Sequence, residues 1–241
     1  DNAGDAVVRL GASGAPPGSY DWDVVRIRHC TFDPGGERAD GTNIPPLKLV
    51  VAGSIRRLIV ERSILSSLTV EGDGYVERIR VRDSILDAQH ASDAALTHLQ
   101  AVVDLARTTI IGDVRVEELH ATDTLVLGEV VATNDQAGCF RFSAAAAGSH
   151  LPPTYRSWPE PGGAGGGDTV RPWFLASRRF GDPHYAVPSQ AAPAAIRRGA
   201  ENGDGMGSFN RALLERRLDA VRMKVDEFRP VYAHPQYPLS T

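Results

Sequence analysis

Leu58-Ile59-Val60-Glu61-Arg62-Ser63 and Ile79-Arg80-Val81-Arg82-Asp83-Ser84 share one pattern: apolar, any, apolar, any, charged, small polar. Working outward, the pattern returns in Val25-Arg26-Ile27-Arg28-His29-Cys30, Val103-Asp104-Leu105-Ala106-Arg107-Thr108 and Leu119-His120-Ala121-Thr122-Asp123-Thr124. A second short apolar stretch accompanies each: Leu47 to Val51, Leu68-Thr69-Val70, Ala94 to Leu96, Val114-Arg115-Val116 and Val130-Val131. Period-2 alternation on strands this short buries one face. A repeat of roughly 20 residues carrying two or three such strands predicts a parallel β-solenoid. The repeat spacing is unequal, and a β-helix tolerates that because one circuit bulges without disturbing its neighbours. Asp33-Pro34-Gly35-Gly36 and Ile44-Pro45-Pro46 mark such a bulge. The expected fold is all-β, a right-handed parallel β-helix over residues 1–149, its hand taken from the general preference of parallel crossovers. An antiparallel sandwich is the competing arrangement.

From about His150 the chain changes character. Leu151-Pro152-Pro153, Trp158-Pro159-Glu160-Pro161, Gly162 to Gly167 and Phe180-Gly181-Asp182-Pro183 interrupt every regular run. Tyr155, Trp158, Trp173, Phe174, Phe180 and Tyr185 nevertheless give this stretch more aromatics than the strands, which a disordered linker would lack. Residues 150–207 are therefore expected to be an irregular arm packing its rings on the solenoid flank, with only Gly162 to Gly167 loose. Ser208 reads as the N-cap of a helix running to about Phe228, with Leu214, Leu218, Val221, Val225 and Phe228 on one buried face. Residues 208–241, helix and tail, are the candidate cap for an open solenoid end.

Composition excludes several classes of function. The 241 residues carry 26 basic and 30 acidic side chains, a net charge of −4, so no global field favours nucleic acid. Lys48 and Lys224 are the only lysines; every other basic residue is arginine. Two cysteines, Cys30 and Cys139, make no disulfide framework. No apolar run approaches the roughly 18 residues of a membrane span, and no signal peptide opens the chain. A start at Asp1 rather than Met reads as a piece of something larger.

The fifth position of the repeat reads His29, Arg62, Asp83, Arg107, Asp123. Stacked about 4.8 Å apart, Arg62, Asp83, Arg107 and Asp123 are expected to form a ladder of alternating charge. Such a row fixes register through cross-strand ion pairs, or else lines a polysaccharide-binding or lyase groove. A lyase needs clustered carboxylates for a cation or a carboxylate pair for acid–base work, and alternation supplies neither. The sixth position, Cys30, Ser63, Ser84, Thr108 and Thr124, reads as a corner row whose side chains satisfy backbone groups. Cys30 and Cys139 both read as core residues. Seven histidines show no metal-ligand spacing, and neither metal nor cofactor is expected. The Glu201-Asn202-Gly203-Asp204 loop lacks the spacing of a calcium loop. Gly203, Gly205 and Gly207 read as helix-entry geometry rather than a phosphate cradle.

Three stretches carry a resemblance: Gly138-Cys139-Phe140-Arg141-Phe142-Ser143, Leu151-Pro152-Pro153-Thr154-Tyr155-Arg156 and Gly199 to Phe209. With the Arg62-Ser63-Ile64 and Asp83-Ser84-Ile85 repeats, the chain from about Val25 to Phe228 resembles the C-terminal β-helical region of large actinobacterial and cyanobacterial proteins. Those proteins are associated with phage-tail-like contractile injection systems. The resemblance implies a non-enzymatic structural or attachment module, assembled into a particle in the cytoplasm. Its partners would be other particle proteins or the remainder of a longer chain; no catalytic residues carry over. The competing reading is a carbohydrate-binding or carbohydrate-active β-helix. It would hold a glycan along Arg62, Asp83, Arg107 and Asp123 or beneath Trp158 and Trp173. Neither reading involves nucleic acid or membrane insertion.

Overall fold

A computed structural model describes residues 6–11, 20–159, 170–208, 210, 214–230 and 232. Its dominant feature is a 13-stranded sheet, with a two-stranded antiparallel hairpin at Gly36–Glu37 and Asn43–Ile44. Every pairing between strands of the large sheet is parallel. All-β with parallel strands therefore holds, and the antiparallel sandwich does not.

The pairings sort into three ladders that the chain visits in turn. The first runs from Ala6–Leu10 through Leu47–Val51, Leu68–Val70 and the opening residues of Ala94–Ile111 and Asp113–Thr122 to Val130–Ala132. In the second, Trp22–Arg28 pairs with Ser54–Glu61, then Tyr75–Asp87, Ala94–Ile111, Asp113–Thr122, Gly138–Arg141 and Thr154–Tyr155. The third aligns Thr31, Ile64, Ile85, Thr109, Leu125, Ala144 and Trp158. The ladders thus reach Trp158, past the boundary that the proline-rich sequence suggests at 149.

Alternation explains what lies inside. Along the second ladder, Leu58, Ile79, Val103 and Leu119 are opposite one another, as are Val60, Val81, Leu105, Ala121 and Phe140. Each is at most 2% exposed. The first ladder adds Leu49, Leu68, Leu96, Val114 and Val130 to the same core, and the third adds Leu65, Leu86, Ile110 and Val126. His98 is buried beside this core, and its Nε2 accepts the Val76 N–H at 2.7 Å. Burial holds its pKa below the usual histidine value, so the ring stays neutral and serves as an acceptor.

From Ile85 to Ala144 the third ladder is covered on both faces, which is why Thr109-Ile110-Ile111 shows no polar alternation. Its outer side packs against the arm. Ile111, Leu125, Leu127 and Ala144 join Trp158, Phe174, Leu175, Ile196 and Met206 in one cluster, and Ile85 joins Tyr185 and Ala186 in another. Among the arm's described residues, the rings of Trp158, Phe174 and Tyr185 thus pack on the sheet. Gly207, at φ +113°, lies so close to the ladder that a Cβ there would come within 2.6 Å of Thr109 Oγ1. Close approach, rather than helix entry, accounts for that glycine.

The C-terminal helix spans Leu214–Phe228. Phe228 is 78% exposed and Met223 68% exposed, so the expected buried face does not extend through its last turns. Gly162 to Gly167, the residues just after Ser208 that would open the helix, and most of the Val231 to Thr241 tail lie outside the described residues.

Tyr185 fastens the arm to the sheet by donating its hydroxyl to Asp87 Oδ2 at 2.6 Å, while Asp87 Oδ1 accepts the Gln89 N–H at 2.7 Å. Burial pushes the Asp87 carboxyl above the ordinary carboxylate value, and these two hydrogen bonds offset it only in part. Folded Asp87 holds its proton more tightly than unfolded Asp87. It therefore costs stability as pH climbs from the ordinary value of 3.8 through the raised one. Asp87→Asn should gain stability relative to the parent across that window and level off above it. Urea unfolding between about pH 3 and pH 8 checks this; a difference independent of pH contradicts it.

Candidate functional site

Every passage from the second ladder to the third turns on one residue held in the left-handed region. These residues are His29, Arg62, Asp83, Arg107, Asp123, Phe142 and Arg156, with φ between 46° and 53°. The first five are the fifth-position residues of the repeat, so backbone conformation sets that position before charge does. A left-handed seat costs an ordinary residue roughly 1–2 kcal/mol and is worst for β-branched side chains. None of the seven is Val, Ile or Thr.

The residue after each turn recovers part of that cost. Ser63, Ser84, Ser143 and Ser157 donate Oγ to the carbonyl two residues back at 2.9, 2.7, 2.8 and 3.2 Å. Thr108 and Thr124 do the same at 3.2 and 3.1 Å. Three of these hydroxyls also accept an N–H from the preceding circuit: Cys30 to Ser63, Ser63 to Ser84 and Thr124 to Ser143, at 3.1, 3.1 and 3.0 Å. The row is a polar spine along the corner, fully buried at Ser84, Thr108, Thr124 and Ser143. The sequence reading anticipates this role. Cys30 occupies the row but is exposed rather than buried, because it lies near the first edge of the stack.

The expected alternating charge ladder forms at one step. Arg107 grips Asp83 with Nε and Nη2 at 2.6 and 2.9 Å, a bidentate pair that holds the guanidinium even more firmly protonated than usual. Asp123 goes elsewhere: its Oδ1 accepts the Glu201 N–H at 2.7 Å, and its carbonyl accepts the Gly207 N–H at 2.9 Å. It anchors the 199–207 loop instead of extending the row. Arg62 makes no ion pair among the described residues. Trp158 is buried, edge-on to Phe174 at 5.8 Å, while Trp173 is 59% exposed with the Arg171 guanidinium 5.4 Å over its ring. Of these two tryptophans, only Trp173 presents an exposed ring.

What sequence reasoning passes over is the outward side of the second ladder. Arg78, Arg80 and Arg82 alternate outward along one strand, and Arg26, Arg28 and Arg57 face the same way from the two preceding circuits. Arg28 pairs with Glu61 at 2.8 Å and Arg57 with Asp23 at 3.3 Å. Asp104 is shared by Arg78 and Arg80 at 3.7 and 3.6 Å. Arg26 and Arg82 have no ion pair among the described residues, so this face carries excess positive charge on a chain of net charge −4. The signal is present in Val25-Arg26-Ile27-Arg28 and Ile79-Arg80-Val81-Arg82, whose variable positions are arginine. Farther along the same face, Cys139 is half-buried and points outward, in contrast to the core position expected for it.

In the Glu201–Asp204 loop, Asn202 Oδ1 accepts the Asp204 N–H and Asp204 Oδ1 accepts the Gly205 N–H. Among the described residues, no group of three His, Cys, Asp or Glu side chains is placed to hold a metal ion. Comparison with protein-family models, curated proteins and solved structures finds no match to this chain.

Two substitutions test the corner. Ser84→Ala removes one donor and leaves the Ser63 N–H without its acceptor in a buried site. It should cost about 1–3 kcal/mol in urea unfolding, and no change would contradict the spine. Arg107→Lys keeps the charge but loses the two-pronged grip on Asp83. It should cost about 1 kcal/mol, whereas equal stability would mean that the pair contributes only charge.

Proposed function

We propose that this chain is a right-handed parallel β-helix serving as a non-enzymatic structural or attachment module. The role is the one implied by its resemblance to proteins of phage-tail-like particles. One observation carries the reading: seven consecutive turns share the same left-handed seat, so successive circuits stack on a common corner and make a stiff rod. The right hand follows from the general behaviour of parallel crossovers. A close-packed aliphatic interior supports a load-bearing role, and the packed arm stiffens the third ladder from outside.

A carbohydrate-binding reading has its own support in Trp173, whose 59% exposed ring offers an apolar surface on which the C–H face of a sugar can stack. Mass spectrometry of purified native particles separates the two. The scaffold reading expects this chain at fixed stoichiometry with the other particle proteins. Its absence from particles, together with saturable glycan binding lost in Trp173→Ala, would overturn the scaffold reading in favour of the carbohydrate one.

A further inference from the structure

We infer that Cys139 is a nucleophilic thiol served by His120 and Glu118, and that it exchanges with disulfides. Glu118 and His120 are two residues apart on the strand Asp113–Thr122, so both project from the outer face of the second ladder. Cys139 lies directly opposite His120 on the neighbouring strand. Its Sγ is 3.9 Å from His120 Nδ1, and His120 Nε2 is 2.7 Å from Glu118 Oε1. The order is thiol, imidazole, carboxylate: nucleophile, base and the group that orients the base.

The tautomer follows from the shorter contact. With Nε2–H donating to Glu118, the lone pair of Nδ1 faces the thiol and accepts its proton. The sheet supplies rigidity. Phe140, the neighbour of Cys139, is fully buried, and Gly138 lies so close to the strand beside it that a Cβ would sit 2.1 Å from the Leu119 carbonyl oxygen. His120 and Glu118 keep 39% and 26% of their side chains exposed, so a reagent reaches the site from solvent.

The same geometry selects the reaction. Acyl transfer needs N–H donors for a developing oxyanion. Here the Phe140 and Phe142 N–H groups donate to the Pro153 and Tyr155 carbonyls instead. Thiol–disulfide exchange develops charge only on sulfur. The Cys139 proton passes to Nδ1, Sγ attacks one sulfur of R–S–S–R, the Cys139–sulfur bond forms, and the S–S bond breaks. The departing thiolate takes the proton from His120, giving Cys139–S–S–R and R–SH. Arg141, exposed on the same face, favours an anionic disulfide. This inference stands apart from the scaffold reading, since a rigid rod needs no reactive thiol.

The test uses the full chain carrying Cys30→Ser, a substitution that suits a row otherwise filled by Ser and Thr. Dithiobis-nitrobenzoate, an anionic disulfide, is the probe, and intact mass confirms the mixed disulfide on Cys139. At neutral pH the folded protein should react faster than the same protein unfolded in urea. His120→Gln should slow the folded reaction at least about tenfold and Glu118→Gln by a smaller factor, with unchanged circular dichroism. Equal rates with and without His120, or a folded rate no faster than the unfolded one, would overturn the proposal. The folded-to-unfolded comparison needs no His120 variant, so it remains decisive if that variant misfolds.

Discussion

Each circuit of this protein hinges on one residue held at positive φ and, at six of the seven corners, on one hydroxyl directly after it. The left-handed residue swings the chain from the second ladder into the third. The following side chain then caps the carbonyl two residues back, and at three corners it also takes an N–H from the adjoining circuit. Unsatisfied groups at a buried corner would each cost on the order of 1–3 kcal/mol, and the stack repeats the corner seven times. Stacking also makes the solution cooperative, because the hydroxyl of one circuit serves the backbone of another. Inward-facing aliphatics and parallel register follow once the corners align.

The corner also decides which surfaces face outward. The third ladder, just after the turn, is sandwiched between the core and the arm, with Tyr185 and Asp87 joined in a buried hydrogen bond. Asp123 belongs to both systems, sitting in a left-handed seat while its carboxylate holds the loop before Met206. Among the described residues, the outer face of the second ladder is not covered by the arm. Its alternate residues carry arginines in the early circuits and the Glu118–His120–Cys139 group in the later ones, so any chemistry or attachment on this sheet has this flank available.

Much of the architecture is legible in the sequence because alternation records it: Leu58 and Val60 point in, and Ile59 and Glu61 do not. The spine is legible too, since Ser63, Ser84, Thr108 and Thr124 recur in phase. The left-handed seats are harder to read. Glycine and asparagine ordinarily announce such positions, and here arginine, histidine, phenylalanine and aspartate fill them, so the row presents itself as charge. The third ladder hides for a related reason. Ile85-Leu86 and Leu125-Val126 follow the corner at once and are covered on both faces, which erases alternation. The Cys139–His120 pair is invisible in one dimension because register, not spacing, brings the two together.

Native-state hydrogen exchange at the corner amides tests the central claim most directly. If the spine fastens all circuits into one unit, the Ser63 and Thr124 amides should exchange only through global unfolding. Their opening free energies should then match those of the deepest amides of the second ladder. Corner amides that open locally, well below the free energy of the inner strands, would show that the circuits are held by core packing alone.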